Sequence, residues 1–180
     1  LTSLYFAVMY PEARLFCFEP LPENVELLRM NLQPIAHRVT IVPKGLGEKR
    51  GSFKYHPSND PANFGGGTFH EVGCDRRRTI RLPVTTLADA ADEFGIHRID
   101  LMKLDAEGAE LATLRGTPPP LIENCQAVIG ELHGVDDLDL LRLLEPTHRL
   151  GFAKAVERNC YPFVAVRRDE VRSEPPAQAA

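Results

Sequence analysis

The run Leu101-Met102-Lys103-Leu104 stops at a carboxylate, Asp105, and a second carboxylate, Glu107, follows two residues later. Gly108 then lets the backbone turn sharply into a short helix. In open α/β sheets ligands sit beyond the carboxyl ends of the strands, so acids at such an end face a bound molecule rather than the core. Asp105 and Glu107 could act as a general base, as metal ligands or as polar hooks for a cofactor. Glu107 also has a plainer reading, as the acid that starts the helix and complements its positive end. Two other stretches end alike. Leu15-Phe16-Cys17-Phe18 closes at Glu19, before Pro20. A carboxylate there can accept hydrogen bonds from both hydroxyls of a ribose, or simply open the next helix. Ala127-Val128-Ile129-Gly130 leads into Glu131-Leu132-His133. A spacing of two places the acid and the imidazole on one face of the strand end, where the carboxylate can set the tautomer and raise the basicity of the ring. The plainer alternative is a surface acid and a surface histidine.

Asn63-Phe64-Gly65-Gly66-Gly67 is a different kind of candidate. Successive glycines permit close backbone approach to a ligand, or merely make a pliant tip. No Lys-Ser/Thr pair follows, which argues against a phosphate-cradling loop. His37, His56, His70, His97 and His148 have no acid or cysteine at ligand spacing and are read as surface or loop residues.

The elements that must position these groups follow from the apolar pattern. A helix ends near Met9, and Arg14 to Phe18 is a short strand. Pro20 to Asn24 opens a second helix, in which Val25, Leu28 and Leu32 recur at helical spacing until Pro34. Val39 to Val42 is another strand. Gly51 to Tyr55 and Thr79 to Val84 alternate, which predicts an antiparallel insertion with the glycine-rich tip between its strands. Thr86 is placed to cap a short helix. Ile99 to Leu104 is the central strand, Glu107 to Arg115 a helix and Asp136 to Leu144 another. Phe152 to Val156 and Phe163 to Val166 are expected as a closing antiparallel hairpin. Strands alternating with short helices predict an α/β fold built on a mostly parallel sheet, occupying residues 1–168, with a disordered tail over 169–180.

Composition narrows the function classes. A chain of 180 residues buries roughly 70% of its unfolded surface, enough for one complete core. The net charge of −4 argues against nucleic acid, which requires a basic face. Arg76-Arg77-Arg78 is read as a solvated cluster. Cys17, Cys74, Cys125 and Cys160 form no C-x-x-C pair, so neither a zinc site nor an oxidising compartment is called for, and a cytoplasmic location is expected. No apolar run approaches the roughly 20 residues that span a bilayer.

Taken in order, several pieces resemble the FkbM-type family of S-adenosylmethionine-dependent methyltransferases. They are Phe18-Glu19-Pro20-Leu21-Pro22-Glu23-Asn24 with Leu28 and Asn31-Leu32, Asn63-Phe64-Gly65-Gly66, Val84-Thr85-Thr86-Leu87-Ala88-Asp89, Asp100 to Glu110, and Glu131-Leu132-His133. The resemblance implies a Rossmann-like class I methyltransferase fold with an antiparallel edge hairpin. It also implies methyl transfer from S-adenosylmethionine to a hydroxyl of a sugar, glycolipid or natural product. It assigns His133, Asp105 and Glu107 to catalysis, with His133 the favoured base because imidazole is matched to neutral pH and a carboxylate is not. Glu19, Pro20 and Asp105 fall to the cofactor, Asn63, Gly65, Gly66 and Glu131 to the acceptor, and no metal is called for. The family's Asp-x-Gly-Ala-Asn-x-Gly loop has no counterpart, and Leu1 to Ala7 is similar to the helix that follows it. The sequence is therefore expected to be part of a longer protein. The fragment alone should lack the first strand, leave an apolar groove in its place and bind cofactor poorly. Three rivals carry separate expectations: a nicotinamide-dependent oxidoreductase using Glu19, an Mg²⁺ or Mn²⁺ site built from Asp105, Glu107, Glu131 and His133, and a non-catalytic remnant serving as a binding module.

Overall fold

The computed structural model describes residues 2–57, 79–133, 136–153 and 161–168. The chain opens with α1 (Thr2–Met9), β1 (Leu15–Phe18), α2 (Pro22–Leu32), a 3-10 helix (Gln33–Arg38) and β2 (Val39–Val42). β1 and β2 run parallel, with Leu15 opposite Val39 and Phe18 opposite Val42. Pro22 stands in the first turn of α2, where its missing N–H leaves no bond unmade. Val25 and Leu32, two turns apart, are the buried face of that helix. Arg38 ties α1 to this unit by donating to the carbonyls of Ala7 (2.6 Å), Tyr10 (2.9 Å) and Ala13 (3.2 Å). Orphan carbonyls at a helix C-terminus accept such a cation readily.

Next come β3 (Gly45–Leu46), β4 (Gly51–Tyr55) and β5 (Ile80–Thr85), in the spatial order β3-β5-β4. β4 and β5 pair antiparallel, as their alternation predicts, with Lys54 opposite Arg81. The glycine-rich stretch containing Asn63, Gly65 and Gly66, and the Arg76–Arg78 cluster, lie outside the described residues. The α3 helix (Leu87–Phe94) begins at Thr86, whose hydroxyl accepts the Asp89 N–H at 3.0 Å.

The second half of the chain contributes β6 (Leu101–Leu104), α4 (Glu110–Arg115), α5 (Pro119–Glu123), β7 (Ala127–Leu132), α6 (Asp137–Leu144), β8 (His148–Phe152) and β9 (Tyr161–Arg167). Its four strands follow the order β6-β7-β9-β8, with β6 and β7 parallel and the rest antiparallel. Val128 and Ala165 from the sheet, Leu114 from α4, Leu140 and Leu144 from α6, and Cys125 are essentially sealed from solvent and form the centre of the core.

Four expectations need correction. The sheets are mixed rather than mostly parallel: the described pairings are three parallel and three antiparallel, spread over three sheets. The helix expected from Glu107 starts at Glu110, because Glu107 (φ 51°) and Gly108 (φ 99°) both adopt left-handed backbone, which breaks a right-handed helix. Glu107 is thus a turn residue and not the first residue of a helix. The closing hairpin has its first strand at His148–Phe152, earlier than the apolar pattern indicates, since Arg149 and Gly151 there take their strand geometry from pairing with Val166 and Val164. Finally, His148 and His56 are buried, not surface residues. His148 bridges the core, with Nε2 2.9 Å from the Cys125 carbonyl and Nδ1 2.8 Å from the Thr147 hydroxyl. Cys125 is a buried thiol whose pKa desolvation raises to about 11, as expected of an inert core cysteine. Cys17 is partly buried and likewise raised by desolvation, while Cys74, Cys160 and His70 lie outside the described residues.

Gly130, in the middle of β7, allows close packing beneath the functional end of that strand. A Cβ on it would sit 2.3 Å from the Leu104 carbonyl oxygen on β6 and 2.8 Å from Phe163 on β9. Backbone cannot yield as a side-chain tip does, so Gly130→Ala is expected to lower stability by about 1–3 kcal/mol. Urea unfolding monitored by circular dichroism reads this as a lower midpoint with unchanged slope.

Candidate active site

The carboxyl ends of β6 and β7 lie side by side because the two strands are parallel and in register, Leu104 opposite Gly130. Asp105 follows β6 directly, Glu131 lies in the last turn of the pleat of β7, and His133 follows its end. The left-handed turn at Glu107-Gly108 then reverses the chain and brings α4 back over the strand ends. A non-glycine residue in that conformation costs on the order of 1 kcal/mol and persists where the surroundings fix it.

Four acids consequently surround one imidazole. His133 Nε2 lies 3.7 Å from Glu107, and 4.0 Å from both Asp105 and Glu131. On the other edge of the ring, Nδ1 lies 3.0 Å from Glu110 Oε1, a close charge contact that falls short of an aligned hydrogen bond. The Glu110 side chain is only 4% exposed and that of His133 16%, so this contact is the least screened of the four. Glu110 Oε1 also accepts the Ala106 N–H at 2.7 Å, which anchors the carboxylate to the turn itself. The protonation states follow. Contact with Glu110 outweighs desolvation and raises the His133 pKa to about 9. Glu110 is half of the same pair: burial raises its pKa, but His133 and the backbone donors prevail and hold it below the ordinary value. Glu107 is raised, first by burial and then by the neighbouring carboxylates, against the lowering influence of His133. Lys103 pairs with Asp105 and partly balances the rim.

Glu19 joins this group more loosely. It ends β1, its backbone N–H bonds to Val42, and its Oε1 accepts the Leu21 N–H at 2.8 Å. The carboxylate is thus partly engaged at the start of α2, and desolvation raises its pKa. Tyr55, at the end of β4 and 5% exposed, links Glu19 to the main cluster. Its phenol is pushed up to about 12, first by burial and then by the Glu19 and Glu107 carboxylates together, so both acids act on the same ring. Pro20 sits beside Glu19, ahead of α2.

The sequence-derived candidates Asp105, Glu107, Glu131 and His133 converge, whereas Asn63, Gly65 and Gly66 fall outside the described residues. Sequence reasoning missed Glu110 and Tyr55. The signal for Glu110 was an acid opening the otherwise apolar run Leu111-Ala112-Thr113-Leu114, and for Tyr55 a phenol closing an alternating strand. Asp105, Glu131 and His133 each offer a donor atom, all within 4.8 Å of one another, a spacing compact enough for a divalent cation. An imidazole must be neutral to coordinate, and Glu110 favours its protonated form, so proton and cation would compete at this ring.

The fold is that of the class I methyltransferases. The chain superposes on the crystal structure of a methyltransferase FkbM from Methylobacillus flagellatus with a TM-score of 0.63 at 19% identity, covering 91% of this chain and 40% of that one. Residues 2–153 match the Methyltransferase FkbM domain, and the chain belongs to the FkbM methyltransferase family. It is 33% identical over 135 residues to the hexuronic acid methyltransferase AglP of Haloferax volcanii, covering 74% of this chain and 53% of that protein. It is 29% identical over 130 residues to the 2-O-methyltransferase NoeI of Sinorhizobium fredii, covering 62% of this chain and 50% of that protein. The chain thus spans about half the length of these relatives. Among the described residues no helix is long and apolar enough to cross a membrane.

Proposed function

We propose that the protein transfers a methyl group from S-adenosylmethionine to a hydroxyl group of a sugar. The observation that carries this reading is His133, held at the end of β7 with Nδ1 against Glu110 and Nε2 directed into the rim of Asp105, Glu107 and Glu131. The relatives named as a hexuronic acid methyltransferase and a 2-O-methyltransferase support a sugar acceptor. S-adenosylmethionine, when bound, supplies an electrophilic methyl on a positively charged sulfur. Glu19 and Asp105 are the acids suited to hold it, and the negative rim favours that charge. A hydroxyl accepting that methyl group would have to give up its proton to a base on the protein. In the neutral ring Nδ1 keeps its hydrogen toward Glu110, so Nε2 is the free base that takes this proton. Glu107 and Glu131 then stabilise the imidazolium formed.

The test uses the protein with whatever sequence flanks this chain. It is titrated calorimetrically with S-adenosylmethionine and with a nicotinamide cofactor, then incubated with methyl-labelled donor and a hexuronic-acid oligosaccharide. The expected result is saturable binding of the sulfonium cofactor alone and label on the sugar that survives alkali, because an ether is stable there and a methyl ester is not. Alkali-labile label would move the reaction to a carboxylate, and nicotinamide binding in place of the sulfonium would overturn the reading altogether.

A further inference from the structure

A recess of about 640 Å³ lies between the β4–β5 hairpin and the Ala109–Ala112 side of α4, and its chemistry is the reverse of the acidic rim's. Lys49, Lys54 and Arg81 line it, with Glu48 as an opposing charge, so its lining is net positive. Lys54 and Arg81 stand directly opposite each other in the antiparallel register. Like charges in that relation repel, and a sheet that keeps them gains most when an anion lies between them. Among the described ion pairs none neutralises Lys49, Lys54 or Arg81. Arg81 is pre-set: its guanidinium donates to the Ser52 carbonyl and hydroxyl, which fixes the fork while leaving further N–H groups to donate.

His56 also lines this recess, and it supplies independent support. Its side of the strand is that of Lys54, two residues away. The residue is 3% exposed, its Nδ1 lies 3.2 Å from the Thr79 hydroxyl, and its buried Nε2 has no hydrogen-bond partner. A buried polar atom left unpaired costs on the order of 1–3 kcal/mol, and such orphans are uncommon unless a ligand or water completes them. If Nδ1 accepts from Thr79, the ring hydrogen sits on Nε2 and awaits an acceptor. Three cations and an orphaned, buried ring nitrogen around one recess call for oxygen anions.

We propose that this recess binds an oxyanion group, a carboxylate or a phosphate, carried by a sugar-sized ligand, with Lys49, Lys54, Arg81 and His56 as its contacts. The assignment does not depend on methyl transfer, because binding is measured without methyl donor or turnover. The protein is titrated by nuclear magnetic resonance with D-glucuronate, glucose 1-phosphate and glucose while the ring signals of His56 are followed. The expected result is that at least one anionic sugar binds and shifts the His56 signals, and that glucose does not. The stronger of the two anions identifies carboxylate or phosphate as the recognised group. Lys54→Gln, an exposed change that leaves the hairpin register intact, should weaken that binding about tenfold, the loss expected for one charge-assisted hydrogen bond. Lys49→Gln provides a second, equally exposed probe. Equal binding of glucose and the anionic sugars, absence of binding by either anion, or anion binding unchanged in both lysine variants would overturn the proposal.

Discussion

His133→Ala is expected to lower methyl transfer by about 10²–10³-fold while leaving S-adenosylmethionine binding within a few-fold of the parent, since general-base assistance is worth about that much. The pH profile gives the sharper reading. With Glu110 against Nδ1, the ring titrates at about 9, so only a small fraction is neutral near physiological pH. If the neutral ring is the base, kcat/KM rises with pH, tenfold per unit, and levels off near that value. The alanine variant loses this rise and keeps a low, flat rate from alignment alone. A parent profile that is flat up to pH 9, or a variant that retains the sloping limb, would show that the proton leaves by another route. The histidine is stronger as a base for being held by an acid, and rarer in its active form for the same reason. The sulfonium charge of a bound cofactor would work the other way, since a cation near the ring favours its neutral form.

What could be read from the sequence, and what could not, divides along a physical line. Asp105, Glu131 and His133 were legible because an apolar run ending in a charge marks a strand end, and the ends of two neighbouring parallel strands lie side by side. The β4–β5 hairpin and the Thr86 cap were legible because alternation and side-chain capping are local. Glu110 was not, because an acid in a first helical turn ordinarily complements the dipole in solvent. Here the left-handed turn at Glu107-Gly108 swings α4 over the strand ends and buries that acid against a ring 23 residues away in sequence. His148 escaped for a similar reason: its partner is the carbonyl of Cys125, also 23 residues distant. Solitary histidines in polar surroundings carry no local sign of burial. The early start of β8 came from register with β9, which no apolar period encodes.

Glu110→Gln separates the charge of the Glu110–His133 pair from its shape. Glutamine keeps a side-chain oxygen able to accept the Ala106 N–H, so the turn retains its anchor, while the ring loses its anion. Glutamine removes the least screened of the four anions around the ring while Asp105, Glu107 and Glu131 remain, and a loss of about 1–2 kcal/mol is expected in urea unfolding near neutral pH. The pH dependence tests the assignment independently. The folded-state pKa of His133 is raised above its ordinary 6.5, so its contribution is complete below that value and disappears as pH rises through about 9. Glu110 is depressed below its ordinary 4.5, so its contribution is complete above that value and disappears as pH falls through the depressed one. The pair therefore stabilises the parent most between pH 4.5 and 6.5, with a decline toward alkaline pH. In Glu110→Gln the alkaline decline between 6.5 and 9 should flatten, because the ring titrates much closer to its ordinary value. The alkaline limb of the rate profile should move down in pH with it. Stability and rate moving together would tie both to one proton on one ring. A lost decline in stability with the rate profile unmoved would keep the pair as structure and remove His133 from the chemistry.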